Sequence, residues 1–181
     1  MLVGTHVTLR LFTEDDLDDF LSLENDQAEV GEFAPLGMRS PAAFRKEFRE
    51  TGGWGDDLGR MLIVNRENRL LGHVVFFKEP SYQSGHEIGF SIFRRADRGK
   101  GYATQALRVF SAYLFALKPI PRLQLGTHVD NAGARRVAEK CGYQLEGTLR
   151  EFYFARGVYA DCVRYSLLRR EAASWKDALQ M

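Results

Sequence analysis

A short basic segment rich in small residues, at positions 98–104, carries the residue types and spacing that most clearly suggest chemistry. It follows an apolar run at 86–93 that predicts a strand, and it opens a segment with apolar residues at helical spacing from Ala103 onward. A turn between a strand and a helix exposes backbone N–H groups at the positive end of the helix dipole, where anions bind. The segment therefore predicts a site for a phosphate-bearing ligand.

Two well-known phosphate loops fit this segment poorly. The chain contains no GxxxxGK[ST] run, and Gly99-x-Gly101 is followed by Thr104 where a dinucleotide fingerprint needs its third glycine. That fingerprint should also follow the first strand of a βαβ unit, whereas this segment comes after several predicted strands. A nucleotide-binding regulator is therefore the weakest of the functions we consider.

A different pattern, Arg-x-x-Gly-x-Ala, is met by Arg98, Gly101 and Ala103. It resembles the pyrophosphate loop of the GNAT N-acetyltransferase superfamily, and the wider string EIGFSIFRRADRGKGYATQAL is similar to the subgroup that includes the ribosomal-protein N-terminal acetyltransferases (RimJ/RimL-like). Further matches follow in the family's order at 131–143 and 146–168. The resemblance thus spans roughly residues 60–170.

The resemblance implies a fold, a co-substrate and a set of binding residues. The fold would be α/β (α+β), with a mixed, mostly antiparallel central sheet and helices on both faces. The co-substrate would be acetyl-coenzyme A, whose pyrophosphate meets the amides at the helix start and whose pantetheine arm pairs with the preceding strand. No metal is implied. The expected cofactor-binding residues are Ile92, Phe93, Arg98, Gly99, Lys100, Gly101, Tyr102, Ala103, Thr104 and Asn131.

Two residues, Glu87 and Asn131, are the candidates for catalytic roles. Glu87 lies on the strand that leads into the loop, where many relatives carry an acidic residue; it could act as a base through water, or pair with a neighbouring cation. His86 and His128 are further candidates, although a lone histidine at a strand end is more often structural. Many family members carry a tyrosine that protonates the leaving thiolate, and that position here is Ala138.

The expected reaction is transfer of an acetyl group to a primary amine, first of all the α-amino group of a protein N-terminus of the ribosomal-protein kind. An α-amino group has a pKa near 8 and is partly neutral at physiological pH, unlike lysine near 10.4. A small-molecule amine is the alternative acceptor, and a non-catalytic sensor of coenzyme A is the alternative class. The resemblance also suggests a homodimer.

Acidic residues between the first two predicted helices could recognise a cationic amine beside an aromatic wall, or could form a solvated face. The acidic residues are Glu24, Asp26, Glu29 and Glu32, and the aromatic residues are Phe33 and Trp54. Tyr153 in the closing hairpin could face a cleft.

Composition restricts the remaining classes of function. With 25 basic and 24 acidic residues among 181, the net charge of +1 gives no electrostatic reason to expect nucleic acid. Cys141 and Cys162 form no metal-spaced motif and are expected to be free thiols in a reducing compartment. We find no apolar run of membrane-spanning length, so no membrane association is expected and cytoplasm is the expected location.

The predicted elements describe a single domain over residues 1–181. A strand at 3–11 precedes a helix capped by Thr13, and Ser40 with Pro41 opens a second helix. Later elements are strands at 61–65, 70–78 and 123–129, a loop at 79–85, helices at 103–117 and 131–140, and closing strands at 143–147, 150–156 and 158–168. Residues 170–181 are expected to form a frayed tail.

Overall fold

The protein is described here by a computed structural model covering residues 1–34, 36–80 and 85–180. Its strands are β1 Leu2–Val3, β2 Thr8–Arg10, β3 Leu58–Val64, β4 Leu70–Lys78, β5 His86–Ile92, β6 Arg122–His128, β7 Gln144–Ala155 and β8 Val158–Leu168. The helices are α1 Asp16–Glu24, α2 Pro41–Thr51, α3 Tyr102–Leu117, α4 Ala132–Lys140 and α5 Trp175–Gln180. The predicted loop at 79–85 lies partly outside the described residues.

The eight strands form one sheet in the order β1-β2-β3-β4-β5-β6-β8-β7. In the described part of the chain β5 and β6 are the one parallel pair, and the other neighbours run antiparallel. A parallel pair needs a crossover connection, and α3 supplies it. The mixed, mostly antiparallel sheet expected from the sequence is confirmed.

The sheet has a core on each face, because successive strand residues point to opposite sides. On β3, Met61 and Ile63 join a large cluster with α3, whereas Leu62 and Val64 join a smaller one with α1 and α2. Phe20 of α1 is fully buried in the smaller cluster. Helices therefore cover both faces, as the sequence predicts.

The first predicted strand is in fact two short strands, β1 and β2, joined by a turn at Gly4. Gln105 of α3 is the reason for the break, because its Oε1 accepts from the backbone N–H of His6 at 2.7 Å and of Val7 at 2.9 Å. These two amides are thus bonded to a side chain and do not bond to a neighbouring strand. A single strand at 3–11 is a wrong prediction.

The start of α1 also differs from the prediction that Thr13 caps it. The N-cap is Asp15, which forms no side-chain cap bond, and the helix begins at Asp16. The Asp16 carboxylate accepts from both the backbone N–H and the hydroxyl of Thr13 and pairs with both terminal nitrogens of Arg10. Thr13 is therefore a donor to Asp16. At α2 the prediction is confirmed, since Ser40 Oγ accepts from Ala43 N at 3.4 Å.

The C-terminal part is more ordered than the sequence predicts. The two strands predicted at 143–147 and 150–156 form one strand, β7, with irregular register against β8. The tail that is predicted to fray forms α5, which packs on α3: Ala178 is fully buried and the ring of Trp175 lies 5.5 Å from that of Tyr113. Arg169 fixes the approach to this helix by donating to one backbone carbonyl in the last turn of α3 and to two in the connection from α3 to β6.

Candidate active site

The centre of the site is a gap between β5 and β6. These strands pair only at His86 with Leu123 and at Glu87 with Gln124, although β5 pairs with β4 along its whole length. Beyond Glu87 the two parallel strands therefore diverge.

Backbone groups of β5 face this gap. Phe93 N donates to Leu71 O, on the β4 side, at 3.0 Å. Because N–H directions alternate along a strand, the amides of Ile92 and Phe90 point to the opposite edge, which faces the gap. An extended ligand arm lying there could pair with β5 as an additional strand would.

The basic loop between β5 and α3 has the conformation expected of an anion site. Gly99 has a φ of 77° and Gly101, the N-cap of α3, a φ of 86°, which confirms that both glycines take the left-handed conformation. The first amides of α3, at 102–104, have no partner within the helix. A Cβ added at either glycine would meet nothing within 4 Å, so the backbone of the loop is open to a ligand.

Buried Asp97 holds the loop in this shape. Its carboxylate accepts from both terminal nitrogens of Arg69, at 2.7 and 2.9 Å, and Lys100 Nζ lies 3.4 Å away. The hydrogen bonds from Arg69 lower the pKa of Asp97, with Lys100 adding to the effect. The side chain of Lys100 is 51% exposed, so its ammonium group is available at the mouth of the loop.

Arg98, an expected ligand of the pyrophosphate, is engaged with protein carbonyls. Its guanidinium donates to Ile92 O at 3.2 Å and to Phe93 O at 2.9 Å, at the end of β5. It also donates to Glu29 O in the connection between α1 and α2. In the structure Arg98 thus joins the end of β5 to the segment that covers the site.

That covering segment, whose described residues are 25–34 and 36–40, contacts three sides of the site. Besides the bond from Arg98, Glu29 Oε2 accepts from Arg95 N at 2.6 Å. The ring of Phe33 stacks at 4.9 Å on His128, at the end of β6. Arg156, at the tip of the β7–β8 hairpin, donates to Glu32 O at 2.9 Å. The connection is therefore a roof over one face of the sheet.

A cavity of about 460 Å³ lies beneath this roof. It is bounded by α1, the roof, and strands β4 and β5, and it reaches the end of β5, well past the point at Glu87 where β5 and β6 separate. Its lining residues are Leu23, Glu24, Val30, Gly31, Ala34, Gly37, Met38, Arg39, His73, Ser91, Phe93 and Arg98. A chamber of this size, adjoining the place where an acyl group would arrive, can accommodate an acceptor.

Three polar side chains in the cavity lie near one another without direct hydrogen bonds between them. Glu24 Oε1 is 3.9 Å from Arg39 Nη2, and Glu24 Oε2 is 3.7 Å from His73 Nδ1. Burial raises the pKa of Glu24, an effect that Arg39 opposes. Burial, aided by Arg60 and Arg39, lowers the pKa of His73 to about 3, so that this ring is neutral. A donor from a ligand would fit between these groups.

Sequence analysis did not identify Arg39 or His73 as site residues. Arg39 follows a connection without periodic pattern, and His73 lies in an apolar strand where histidine is usually structural. The fold alone brings them to Glu24. The backbone of Arg39 is fixed by the Asn25 amide, which accepts from Arg39 N at 2.7 Å and donates to Arg39 O at 2.9 Å.

The predicted aromatic wall beside the acidic residues is wrong. Trp54 packs against Phe76, at 5.3 Å between ring centroids, and Tyr113, at 6.0 Å, in the core shared with α3. Phe33 instead stacks on His128. Of the four acidic residues, Glu24 lines the cavity and Glu29 binds the loop, whereas Asp26 and Glu32 are exposed.

Glu87 lies at the point where the gap opens, as the last residue of β5 that pairs with β6. Its Oε2 accepts from Arg164 Nη1 of β8 at 2.7 Å, and its side chain is 33% exposed. The pairing with a neighbouring cation, one of the two roles considered, is therefore present, and solvent still reaches the carboxylate.

Asn131 has a structural role at the start of α4. Its Oδ1 accepts from Ala134 N at 3.0 Å and so caps the helix. One residue earlier in the same turn, Asp130 N donates to His128 Nδ1 at 3.1 Å. Because β5 and β6 are parallel, this turn lies at the same edge of the sheet as the basic loop.

Other candidates from the sequence are core residues. Ala138, at the position where many relatives have a tyrosine, is fully buried. Tyr143 is also buried, with its hydroxyl 2.8 Å from Ser111 Oγ. His86 packs against Phe76 at the start of β5, with 5.3 Å between ring centroids.

Two kinds of feature are absent from the described residues. In that part of the chain no group of three or more His, Cys, Asp or Glu residues is placed to hold a metal ion. None of the helices described above is long and apolar enough to cross a membrane.

Comparison with known proteins identifies the family. Residues 6–144 match the acetyltransferase (GNAT) domain. YdaF of Bacillus subtilis (strain 168) is 27% identical over 176 residues, which cover 93% of this chain and 94% of YdaF.

Two solved structures share the fold. One is a spermidine N-acetyltransferase from Vibrio cholerae in complex with CoA and spermine, with TM-score 0.80 and 22% identity, covering 93% of this chain and 98% of that one. The other is RimL, a ribosomal alpha-N-protein acetyltransferase in complex with coenzyme A, with TM-score 0.77 and 21% identity, covering 92% and 96%. The chain belongs to the GNAT acetyltransferase family, and it is an N-acetyltransferase that uses acetyl-coenzyme A.

Proposed function

We propose that this enzyme acetylates the α-amino group of a protein N-terminus. The observation that carries the proposal is the ion pair between Glu87 and Arg164 at the opening of the gap. Because this contact fixes the carboxylate and leaves it to act only through water, the arrangement suits an amine that is already partly neutral. An α-amino group with a pKa near 8 meets this condition, whereas a lysine or alkylamine near 10.4 does not.

The proposed binding mode for acetyl-coenzyme A follows the gap from the loop to Glu87. The pyrophosphate binds the open amides of Gly99, Gly101 and the first turn of α3, with Lys100 adding charge. The pantetheine arm pairs with the free edge of β5 at Phe90 and Ile92, whereas the backbone of Phe93, which the sequence also suggested, is already bonded to Leu71 and Arg98. Arg98 and Asn131 are both hydrogen-bonded to backbone groups of the protein, and they form the two sides of the channel, the part of the gap in which the arm lies.

The reaction then proceeds between the gap and the cavity. The acceptor amine enters beneath the roof, and its nitrogen attacks the thioester carbonyl carbon to form the N–C bond. The proton lost by the amine passes through water to Glu87. The first residue of the acceptor peptide occupies the cavity beside Glu24 and Arg39, which is large enough for one side chain.

A small-molecule amine is the second candidate, because Glu24 is a half-buried carboxylate at 3.7 Å or more from its neighbouring cationic or ring nitrogens. It could bind the distal ammonium group of a di- or polyamine. The V. cholerae structure shows that this fold can serve an acetyltransferase of spermidine.

A panel of acceptors tests the proposal. We expect release of the coenzyme A thiol to be fastest with peptides bearing a free N-terminus, and to be lost when the same peptides are N-terminally blocked. Faster turnover with a polyamine or with free lysine would overturn the N-terminal assignment. Tight binding of coenzyme A without turnover on any amine would indicate a sensor.

The homodimer and the cytoplasmic location expected from the sequence remain predictions. For the homodimer we propose the edge strand β7, which carries exposed Leu145, Phe152 and Phe154 and has a free edge. Sedimentation of the protein should give the mass of a dimer, and a Phe154→Lys variant should give that of a monomer. A monomeric mass for the unmodified protein would contradict the dimer.

A further inference from the structure

A β-bulge determines where Tyr153 lies. Leu149 pairs with Cys162, and the next pair is Tyr153 with Ala160. Between these pairs β7 advances by four residues and β8 by only two. Glu151, within the bulge, has a φ of 49°, a conformation that non-glycine residues adopt rarely. Its N–H donates at 2.9 Å to Asp161 Oδ1, which holds the bulge in place. Bulges and strained residues of this kind often aim a side chain at a site.

The bulge places the Tyr153 hydroxyl beside the gap. A Cβ built on Gly126, on the β6 side of the gap, would lie 3.2 Å from Tyr153 Oη and 3.5 Å from Glu87 Oε1. Both oxygens therefore lie close to the same position, which the side chain of any residue other than glycine would occupy at 126. Glu87 marks where β5 and β6 diverge, so Tyr153 Oη lies at the closed end of the channel.

The surroundings keep this phenol protonated. Cys162 Sγ lies 3.6 Å from Tyr153 Oη and donates to it. The phenol is the acceptor in this contact, so its own proton remains available for a hydrogen bond to another group. Burial raises the pKa of Tyr153, and Cys162 and the negative charge of Glu87 add to the effect. A neutral phenol on a half-buried residue such as Tyr153 can serve as a hydrogen-bond donor to a charge that forms during a reaction.

Resting on the proposed function, we propose that Tyr153 is a catalytic residue that donates a hydrogen bond to the coenzyme A sulfur as the C–S bond breaks. In this step the electron pair of the C–S bond moves to sulfur as the tetrahedral adduct collapses to the amide. The phenol keeps its proton, and the thiolate takes a proton from water on release. Tyr153 thus supplies, from β7, the assistance that relatives draw from the helix position occupied here by Ala138.

The test compares Tyr153→Phe with a matched control, Tyr159→Phe. Tyr159 is exposed on β8, near the same hairpin tip, and it lies outside the channel. A hydrogen bond to a charged group contributes enough that its loss should lower kcat about 10- to 100-fold. The control should retain full activity. In both variants the affinity for coenzyme A and the melting temperature should be nearly the same as in the unmodified enzyme.

A second readout isolates the sulfur. We expect the bound coenzyme A thiol, titrated by the ultraviolet absorbance of its thiolate against desulfo-coenzyme A, to have a pKa about 1 unit or more higher in Tyr153→Phe than in the unmodified enzyme. An unchanged thiol pKa together with unchanged kcat would overturn the role of Tyr153. If the unmodified protein binds coenzyme A but acetylates no amine, the proposed function fails, and the thiol titration still decides the role of Tyr153.

Discussion

Glu87 Oε2 accepts a hydrogen bond from Arg164 Nη1 at 2.7 Å, and this ion pair closes the end of the gap between β5 and β6. Gly126, opposite Arg164 on β6, has no side chain, and a Cβ there would lie only 3.5 Å from Glu87 Oε1. The Glu87 side chain is both fixed in orientation and 33% exposed to solvent, which suits a base that acts through water.

Removing the charge of Glu87 should slow the chemical step. We expect Glu87→Gln to lower kcat about 100-fold, within the range for loss of a general base, while the dissociation constant for coenzyme A stays within about twofold. Steady-state kinetics with a peptide acceptor measures both effects. Glu146→Gln is the control, since Glu146 also accepts from an arginine, Arg122 at 2.7 Å, but lies on β7. Equal kcat in the two variants would show that Glu87 is only structural.

The conformation of the loop should matter for affinity. Gly101→Ala introduces a side chain at a φ of 86°, which costs about 1–2 kcal/mol and disturbs the amides at the start of α3. We expect at least a tenfold weaker affinity for coenzyme A by calorimetry.

Gly157→Ala provides a matched control for the backbone strain. Gly157 has a φ of 85° in the turn between β7 and β8, so the strain is similar, but the loop is untouched. We expect a comparable fall in melting temperature with unchanged affinity. If Gly101→Ala binds coenzyme A as well as Gly157→Ala does, the loop is not the pyrophosphate site.

Acid should destabilise the fold through His73. Its pKa is about 3 in the folded protein and near 6.5 when unfolded, so between these values the unfolded chain binds the additional proton. The stability contributed by neutral His73 is therefore present above about pH 6.5 and is lost as the pH falls. We expect about 2 kcal/mol less stability at pH 5 than at pH 7 from this residue.

Urea denaturation of His73→Gln isolates this effect. Glu24, whose pKa is raised, contributes with the opposite sign, because it binds its proton more readily in the folded state. The difference in unfolding free energy between His73→Gln and the unmodified protein, measured as a function of pH, cancels the contribution of Glu24. Parallel curves for the variant and the unmodified protein would contradict a neutral, buried His73.

The cavity should select the acceptor through Glu24. Glu24→Gln removes the half-buried negative charge, and we expect KM for acceptors with a second cationic group to rise about tenfold, with little change for acceptors that lack one. Glu32→Gln, an exposed change in the roof, is the control and should leave both KM values unaltered. Equal effects on the two acceptor classes would place the acceptor outside the cavity.

The fold and the conformation of the loop at 98–104 could be predicted because their signals are local. Glycines at 99 and 101, a basic turn and a helical period occupy consecutive positions, and the strand before them is continuous. The cavity could not be predicted in this way. Glu24, Arg39 and His73 come from a helix, an irregular connection and an apolar strand, and only tertiary packing brings them together.

The errors have similar causes. The strand at 3–11 breaks because Gln105, about a hundred residues away, takes two of its amides. Trp54 does not lie beside the acidic residues, because its ring packs between Phe76 and Tyr113 in the core. The bulge that aims Tyr153 depends on Asp161 of the neighbouring strand, and no local pattern in β7 indicates it.

Calorimetric titration of the purified protein with coenzyme A tests the central claim most directly. The account predicts one saturable site per chain with a dissociation constant in the micromolar range, as is usual for enzyme substrates, and much weaker binding of ATP. Absence of measurable heat with coenzyme A at millimolar concentration would contradict it.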